Sequence, residues 1–217
     1  MGAMSWQELA DLPFAAALRP HRGGLGPRGD YDCEHFDKTT FDGASAPGSR
    51  FLECAFTGAS FTGGDLRQAR FASAWLRDVR FTGTTLAETE WTDAALLASA
   101  WAGTEAFGAR LHRVTLHGCK LDSVNFRGAE LTEVVFDNCV LRDVDFTGAT
   151  LTRTAFGGSR LAEVTFTRTT LDHADLRGAE LGITTDATSL RGAIVTPAQL
   201  TEMAPVLAAS LGIVVED

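Results

Sequence analysis

His112, His117 and Cys119 are the residues whose types and spacing most resemble a metal-binding cluster. Imidazole nitrogens and thiolates are ligands that Zn²⁺ takes in proteins. Cys119 and Cys139 form a candidate disulfide, and Cys33 is a candidate reactive thiol. Ser, Thr and Asp are plentiful, but no catalytic triad or carboxylate pair can be singled out, and the sequence has no P-loop or dinucleotide-binding glycine motif. What these candidates can do depends on the elements that position them.

A five-residue repeat runs through most of the chain. From Tyr31 to Leu181, every fifth residue is large and apolar: 29 of these 31 core positions hold Phe, Leu, Trp or Tyr, and the other two are Ala46 and Ala106. The residues two places earlier are all Ala, Ser, Thr, Cys, Val or Gly, except Glu34. A period of five fits neither a helix nor a flat strand, so the chain must turn inward once every five residues. Repeats this short bury their apolar residues only by stacking into a solenoid.

The unit Ala174-Asp175-Leu176-Arg177-Gly178 resembles the signature of pentapeptide repeat proteins, and such units cover about seven-tenths of the chain. The resemblance implies an all-β solenoid, a right-handed quadrilateral β-helix with twenty residues per coil. We predict a β-helix over residues 31–195, an N-terminal extension or cap over 1–30, and a C-terminal helical module over 196–217. Residues 1–3 resemble the start of a cloned sequence.

The repeat argues against most of the candidate chemistry. It places His112 and His117 just after core positions on different faces, which disfavours a metal site. Cys119 and Cys139 stack in neighbouring coils, where parallel side chains make poor disulfides, so we predict core thiols. Cys33 lies outside the inward columns and is the best candidate for a reactive thiol. We predict a protein that is not an enzyme and that binds no metal or cofactor.

The aromatic residues change columns in the middle of the repeat. Between Phe51 and Trp101 they occupy alternate core positions, and from Phe126 to Phe166 they occupy the other alternate set. This change predicts a local irregularity near Ala106, with Phe107 as a candidate to replace Ala106 in the core.

Signals for a helix follow the repeat. Thr196, Pro197 and Gln199 suit the N-cap, the first helical position and a capping box, and Gly212 suits the C-cap. Pro205 should break or re-initiate the helix midway. The apolar residues predicted to form a dimerisation surface are Leu200, Met203, Leu207, Leu211 and Ile213.

The ending Leu211-Gly212-Ile213-Val214-Val215, which follows the helix and a last Leu190-Arg191-Gly192-Ala193 unit, is similar to the C-termini of the Qnr and MfpA group of quinolone-resistance proteins. In that group, this module joins two rods tail to tail. A helix that only caps its own rod is the alternative. At the other end, residues 6–18 resemble a short amphipathic segment interrupted by Pro13, and residues 19–30 resemble a linker, with a capping role. Because the repeat is unbroken from 31 to 181, no long loop is expected.

Charge narrows the class of partner. The chain has 19 Lys and Arg against 28 Asp and Glu, a formal charge of −9. This balance disfavours direct binding to nucleic acid or anionic membranes. No apolar run is long enough to span a membrane, and the N-terminus lacks the basic region of a signal peptide. We therefore expect a cytoplasmic protein.

The predicted coil places acidic residues in one stripe along the rod. In each coil, this stripe lies between the core position at 41, 61, 81 or an equivalent and the next core position at 46, 66, 86 or an equivalent. The stripe consists of Asp42, Asp65, Glu105, Asp122, Asp143, Asp145 and Glu163, with Arg142 among them. The next stretch is rich in arginine and contains Arg50, Arg67, Arg70, Arg110, Arg127 and Arg168. The Qnr and MfpA resemblance implies a DNA mimic that binds DNA gyrase or topoisomerase IV and counters quinolones or natural gyrase poisons. The alternative is an interaction scaffold with an unrelated protein partner.

Overall fold

The computed structural model describes residues 8–186 and 188–214. Residues 1–3, Trp6 and Val215, which entered the expectations above, lie outside this part of the chain. The described residues form a parallel β-solenoid of about eight turns, followed by one α-helix. Along most of the rod, a strand residue pairs with the one twenty positions later, as Tyr31 does with Phe51. In the last coil the register shifts, so that Val164 pairs with Ile183 and Ala174 with Ala193, nineteen positions later. The predicted fold class is confirmed.

Short parallel strands alternate with turns along the whole rod. In chain order they are β1 (Arg19–Pro20), β2 (Asp30–Asp32), β3 (Glu34–Asp37), β4 (Thr40–Asp42), β5 (Arg50–Leu52), β6 (Ala55–Thr57), β7 (Ser60–Thr62), β8 (Arg70–Ala72), β9 (Trp75–Arg77), β10 (Arg80–Thr82), β11 (Glu90–Leu97), β12 (Ala100–Ala102), β13 (Arg110–His117), β14 (Lys120–Asn125), β15 (Glu130–Thr132), β16 (Val135–Asp137), β17 (Val140–Asp145), β18 (Thr150–Thr152), β19 (Arg160–Thr165), β20 (Thr170–Asp172), β21 (Ala174–Asp175), β22 (Glu180–Thr184) and β23 (Ala193–Ile194).

The four core positions of each coil define four faces, numbered here from Tyr31. Faces 1, 2 and 3 are centred on the columns that start at Tyr31, Phe36 and Phe41, and they carry almost all of the strands. Face 4 starts at Ala46 and is joined by isolated parallel bridges. We call the residues between two columns a corner: corner 1 holds 32–35, corner 2 holds 37–40, corner 3 holds 42–45 and corner 4 holds 47–50, each with its equivalents at steps of twenty.

Every corner turns through a left-handed residue. All thirty residues at five-residue steps from Cys33 to Gly178 have φ between +48° and +76°. This explains why glycine recurs two places after the core residue, because glycine adopts positive φ without steric cost. A different constraint applies to Gly64, which fills an inward small position: a Cβ there would lie 2.3 Å from the carbonyl oxygen of Ala44.

The core consists of stacked columns of rings and aliphatic side chains. Phe51 stacks on Phe71 with ring centroids 4.7 Å apart, and Phe71 stacks on Trp91 at 3.9 Å. The predicted irregularity near Ala106 is wrong. Ala106 is fully buried in its column, Phe107 is 40% exposed, and pairing by twenty residues continues through this coil.

Residues 19–30 are not the predicted linker. Arg19 and Pro20 form β1, which pairs in parallel with β3, and the ring of His21 stacks on Phe36 at 4.3 Å. Leu25 packs against the core. The backbone of β1 thus satisfies the edge of the first coil, so this segment is a partial coil that covers the end of the rod.

The segment before it lies along the side of the rod rather than over its end. Residues 8–18 contain two 3₁₀ helices, Leu9–Asp11 and Ala15–Ala17. The side chains of Leu12 and Phe14 pack on Ala55, Trp75 and Ala95, the last residues of corner 1, which directly precede core positions of face 2. We call residues 8–18 the strap.

The C-terminal helix α1 spans Pro197–Ser210 and begins with the predicted capping box of Thr196 and Gln199. Gly212 has φ +71°, and the Ile213 amide donates to the Ala208 carbonyl at 2.8 Å, so the predicted C-cap is present. The predicted break at Pro205 is wrong, because the helix continues through it. The fixed φ of proline is helical, so its cost is confined to local hydrogen bonding and packing.

Candidate protein-interaction surfaces

The predicted metal and thiol candidates are separated by the fold. His112 lies on face 1, while Nδ1 of His117, on face 2, lies 2.7 Å from Oδ2 of Asp137. Within residues 8–186 and 188–214, no group of three or more His, Cys, Asp or Glu side chains could hold a metal ion. Cys119 and Cys139 are free, buried thiols, and each contacts a backbone carbonyl of the preceding coil at 3.3 Å.

The surroundings of Cys33 disfavour its reactive thiolate form, contrary to the interpretation drawn from its position. It is partly exposed, but its thiol lies 3.5 Å from a carboxylate oxygen of Glu53 and 3.6 Å from one of Asp32. Desolvation and these two carboxylates raise the pKa of the Cys33 thiol. Since the thiolate is the reactive form, this environment suppresses reactivity.

The predicted acidic stripe lies along corner 3, and its seven members differ in how far their charges are compensated. Arg142 holds Asp122 through two hydrogen bonds, one of them 3.0 Å long, and these bonds lower the pKa of the Asp122 carboxyl. Arg127 reaches across from corner 4 and donates to Asp145 at 2.6 Å. Asp65 has a more distant arginine, Arg67, at 3.9 Å.

Two of these carboxylates also organise the turns on which they sit. Oδ1 of Asp65 accepts the Arg67 amide at 2.9 Å, and Oδ1 of Asp145 accepts the Thr147 amide at 2.8 Å. Burial raises the pKa of Asp145, but the hydrogen bonds from Thr147 and Arg127 outweigh it and leave that pKa below its ordinary value. Asp65 and Asp145 are therefore partly structural residues.

The remaining carboxylates of corner 3 project into solvent. Asp42, Glu105, Asp143 and Glu163 are all exposed. Glu105 accepts a hydrogen bond from the Asn125 side-chain amide at 2.6 Å, and Asp143 accepts one from the Ser123 hydroxyl at 2.8 Å, and both of these donors are neutral groups. These four residues are the members of the stripe best placed to meet a cationic partner.

A second acidic surface, outside the predicted stripe, lies diagonally opposite at corner 1. Its carboxylates are Asp32, Glu34, Glu53, Asp93, Glu133, Asp172 and Asp175. They face two arginines of the same corner: Arg113 pairs with Asp93 at 2.6 Å, and Arg153 pairs with Glu133 at 2.8 Å. The charge of −9 is therefore divided between two opposite corners and does not form a single stripe.

Corner 4 holds the predicted arginines, but many of them are engaged in ion pairs. Arg70 and Arg110 both bind Glu90, at 2.9 and 3.2 Å. Arg50 binds Asp30 at 2.9 Å. This corner has more arginines than carboxylates and separates the two acidic corners on one side of the rod.

The C-terminal apolar residues line an open groove between α1 and the last coil. The groove has a volume of about 350 Å³ and is lined by Leu190, Arg191, Ala193, Val195, Leu200, Met203, Leu207 and Leu211. Met203 is buried, whereas Leu200, Leu211 and Ile213 are 52%, 66% and 56% exposed. The helix therefore packs on its own rod through one residue of the predicted stripe and leaves others in solvent.

Comparison with known families agrees with this architecture. A model described as pentapeptide repeats (9 copies) matches residues 46–90, and one described as a pentapeptide repeat region matches residues 100–166. The chain belongs to the pentapeptide repeat family. No curated protein sequence matches it.

Solved structures with the same fold include QnrB1, described as a plasmid-mediated fluoroquinolone resistance protein. A trypsin-treated variant of QnrB1 is 21% identical over 92% of this chain and 98% of the other, with a TM-score of 0.52. Full-length QnrB1 is 19% identical over 90% of this chain and 100% of the other, with a TM-score of 0.45. HetL from the cyanobacterium Nostoc sp. strain PCC 7120, described as involved in heterocyst differentiation regulation, is 21% identical over 80% and 92%, with a TM-score of 0.29. At this identity the likeness to QnrB1 establishes the fold of this pentapeptide repeat protein.

No helix in the described part of the chain combines the length and apolarity needed to cross a membrane. The candidate interaction surfaces are the acidic corners, the arginine-rich corner 4, the strap and the C-terminal groove. The strap was missed because Leu12 and Phe14 stand outside the repeat. One signal for it exists: Ala55, Trp75 and Ala95 are apolar at outward positions, and they are spaced by twenty residues.

Proposed function

We propose that this chain is a cytoplasmic DNA mimic that binds a type II topoisomerase, DNA gyrase or topoisomerase IV, and protects it from quinolones or natural gyrase poisons. It acts as a homodimer and by binding alone, without catalysis, metal or cofactor. The observation that carries the proposal is the pair of acidic corners on opposite edges of one narrow rod. The fold shared with a fluoroquinolone resistance protein supports the choice of partner.

The spacing of the charges suits this role. Corner 3 runs from Asp42 to Glu163 over six coil steps, which at about 4.8 Å per step is about 29 Å. Its seven carboxylates lie about one per 4 Å, and the five that are not hydrogen-bonded to Arg142 or Arg127 lie about one per 6 Å, against one phosphate per 3.4 Å along a single DNA strand. Corner 1 supplies a second line of carboxylates on the opposite edge. A groove whose positive charges bind the two strands of DNA can therefore engage a rod with two acidic edges.

The dimer rests on the C-terminal groove. Leu200 and Leu211 lie at one edge of an apolar surface that a single rod end leaves partly open. A second copy related by two-fold symmetry presents the same surface and covers it, which is the commonest arrangement for soluble oligomers. Two rods joined in this way double the length of the acidic edges.

A supercoiling assay with purified gyrase tests the function. The protein is titrated in with and without ciprofloxacin, and protection appears as recovered supercoiling in the presence of the drug. The diagnostic variant reverses three exposed carboxylates of corner 3, Glu105→Lys, Asp143→Lys and Glu163→Lys. Lysine is tolerated at the turn positions of Asp143 and Glu163, because Lys38 already occupies an equivalent position with φ +48°.

The matched control reverses three carboxylates on corners 2 and 4, Asp37→Lys, Glu130→Lys and Glu180→Lys, with the same change in net charge. We expect the corner 3 variant to bind gyrase at least tenfold more weakly than the control, with both unfolding near the wild-type temperature. Binding of the wild type should also fall steeply with salt. Equal loss in both variants would mean that net charge alone matters, and no binding by the wild type would leave the scaffold role as the better account.

A further inference from the structure

Two residues at the N-terminal end of the rod depart from the repeat. Glu34 is the single exception to the small residues of its column, which continues as Cys54 and Ala74. In the partial coil that covers this end, the ring stacked on Phe36 belongs to His21 rather than to a large apolar residue. Packing alone favours a small residue and an apolar ring at these two positions, so packing does not account for either departure.

His21 and Glu34 contact each other. Nδ1 of His21 lies 2.5 Å from Oε2 of Glu34, and only 5% of the His21 side chain and 25% of the Glu34 side chain are exposed. The other ring nitrogen, Nε2, lies 3.0 Å from the Gly23 carbonyl oxygen. A neutral imidazole has one N–H, whereas an imidazolium has two. Since a carboxylate and a carbonyl oxygen only accept hydrogen bonds, both contacts are hydrogen bonds at the same time only when His21 is protonated.

The ring of His21 is enclosed by aromatic side chains. Its centroid lies 4.3 Å from that of Phe36, 5.7 Å from that of Tyr31 and 6.2 Å from that of Phe41. The Tyr31 hydroxyl accepts the Gly26 amide at 2.9 Å. The polar contacts of the His21 ring are therefore those with Glu34 and Gly23.

The other titratable groups of this end have different partners. On β1, the Arg19 guanidinium donates to the Asp32 carbonyl at 3.2 Å, and on β3, the His35 ring contacts the Thr57 hydroxyl at 3.0 Å. In the next coil, burial raises the pKa of the Cys54 thiol to about 12, so this thiol is neutral. Among the ion pairs of residues 8–186 and 188–214, His21 is the only partner of Glu34.

This pair lies where the N-terminal segment joins the rod. The Arg19 amide donates to the Cys33 carbonyl at 2.8 Å, and the His21 amide donates to the His35 carbonyl at 2.9 Å. These bonds cover the edge of the first coil, which would otherwise be open to another strand. The side chain of His21 thus belongs to the segment that closes the rod end, and Glu34 belongs to the coil that is closed.

We propose that His21 and Glu34 form a pH-sensitive clasp that holds the partial coil of residues 19–30 over the end of the rod. When His21 is protonated, its bonds to Glu34 and Gly23 keep the segment closed. Loss of the proton removes one of the two donors and leaves the half-buried Glu34 carboxylate without its counter-ion, which is unfavourable inside a protein. Closure therefore favours the protonated form, so the stabilisation is present at low pH and is lost as the pH rises. Imidazole ordinarily titrates between pH 5 and 8, so we expect the change in that range.

Hydrogen exchange of the full-length protein tests the clasp. NMR at pH 5.5 and 7.5 gives the protection factors of the Arg19 and His21 amides, which are already corrected for the intrinsic exchange rate at each pH. We expect these two factors to fall at least threefold at the higher pH. The Glu130 and Thr150 amides, which donate to carbonyls in the middle of the rod, should show no matching change. Constant protection at Arg19 and His21, or an equal fall at all four amides, would overturn the proposal.

The repeat itself supplies the matched variants. His21→Phe with Glu34→Ala gives both positions the residue types that the repeat uses, so the segment should stay closed and its protection should vary less than twofold between the two pH values. His21→Gln keeps a donor and an acceptor without titrating and should also remove the pH dependence. His117→Gln is the control, because it replaces a histidine that pairs with Asp137 at the surface, and it should respond as the wild type does. A wild-type response that persists in both His21 variants would overturn the proposal.

Discussion

The indole of Trp101, on face 3, contacts the ring of Phe126, on face 4 of the next coil, with centroids 5.9 Å apart. Below it the aromatic column is regular, since Phe61 stacks on Phe81 at 4.8 Å and 11°. Trp101 leaves that geometry and meets Phe81 edge to face, at 68°. Phe126 then begins the column that continues through Phe146 and Phe166. The aromatic column thus moves from face 3 to face 4 at Trp101, while the coil itself continues without a break.

Ala106 is the residue that makes this transfer possible. It is fully buried at the core position on face 4 one coil before Phe126, where its side chain is smaller than those of Leu86 and Phe126 in the same column. We infer that Trp101 uses the space that this small side chain leaves. We expect Ala106→Leu to destabilise the protein by about 1–3 kcal/mol through overpacking. Trp101→Leu alone should leave a cavity and destabilise the protein by less than a Trp→Ala core substitution, which costs about 3–5 kcal/mol. The double variant should recover part of the loss, because each change compensates for the volume of the other.

A double-mutant cycle measured by guanidinium chloride unfolding checks this coupling. The control is Leu121, the next residue in the column of Trp101: Leu121→Ala should be additive with a substitution as distant as Phe51→Leu. Additive losses for Trp101→Leu and Ala106→Leu would show that the two side chains do not share one space.

The stacked phenylalanines farther along the rod are also expected to tolerate truncation poorly. Phe136 stacks on Phe156 at 4.9 Å and 5°, and Phe146 lies between Phe126 and Phe166. Replacing Phe136 or Phe146 by alanine should cost about 3–5 kcal/mol, because a ladder of coils cannot collapse around the hole. Ala129→Leu should be comparably disruptive through overpacking. Denaturant unfolding of these variants beside Thr132→Ala, a partly exposed position, measures the difference, and equal losses would contradict the assigned core.

The sequence predicts the rod well because each coil repeats the same local requirement. The positions of Phe51, Leu121 and Leu161 follow from a period of five, and stacking by twenty follows from four such units per coil. The strap does not follow from any period. Leu12 and Phe14 contact Trp75, which lies more than sixty residues later in the sequence. The only sequence pattern that indicates this contact is the twenty-residue spacing of the apolar residues Ala55, Trp75 and Ala95.

Charge is predicted less completely than packing. Wrapping the sequence at twenty residues per coil places Asp122 and Asp145 in the acidic stripe. The repeat period does not predict which carboxylate a long arginine side chain will bind. Arg142 compensates Asp122 from the same corner, and Arg127 compensates Asp145 from the next one. Side-chain geometry therefore decides that Asp143 and Glu163 are the more informative residues to reverse.

Dimerisation should depend on the exposed edge of the C-terminal groove. Leu200→Glu combined with Leu211→Glu places two carboxylates on a surface that the second copy must desolvate, so we expect a monomer. Ala198→Glu with Ala209→Glu is the control, because both residues are exposed on α1 and neither lines the groove. Light scattering after size-exclusion chromatography at micromolar concentration gives the mass. A wild-type monomer, or a dimer that survives Leu200→Glu and Leu211→Glu, would contradict this assembly.

The last coil should lose stability at acidic pH through one carboxylate. Asp186 accepts hydrogen bonds from the side chain of Thr188, from the Thr188 amide at 3.0 Å, and from the Ser189 amide and hydroxyl at 2.9 and 2.8 Å. These bonds, that of the Thr188 hydroxyl first, lower the pKa of Asp186 to about 2. Ser189 Oγ in turn accepts the Arg168 amide at 2.8 Å, so the network ties the final turn to the preceding coil.

The direction of the pH effect follows from that lowered pKa. An unfolded aspartate titrates near pH 4, so the contribution of Asp186 is present above about pH 4 and is lost as the pH falls toward 2. Asp186→Asn should therefore lower the unfolding temperature at pH 6, and the difference from wild type should shrink between pH 4 and pH 2. Asp42→Asn, an exposed carboxylate far from this turn, is the control. A difference in unfolding temperature between Asp186→Asn and wild type that is unchanged at pH 2 would show that the Asp186 charge does not stabilise the turn. Because this turn places Leu190 and Arg191 in the lining of the C-terminal groove, Asp186→Asn should also weaken the dimer at pH 6.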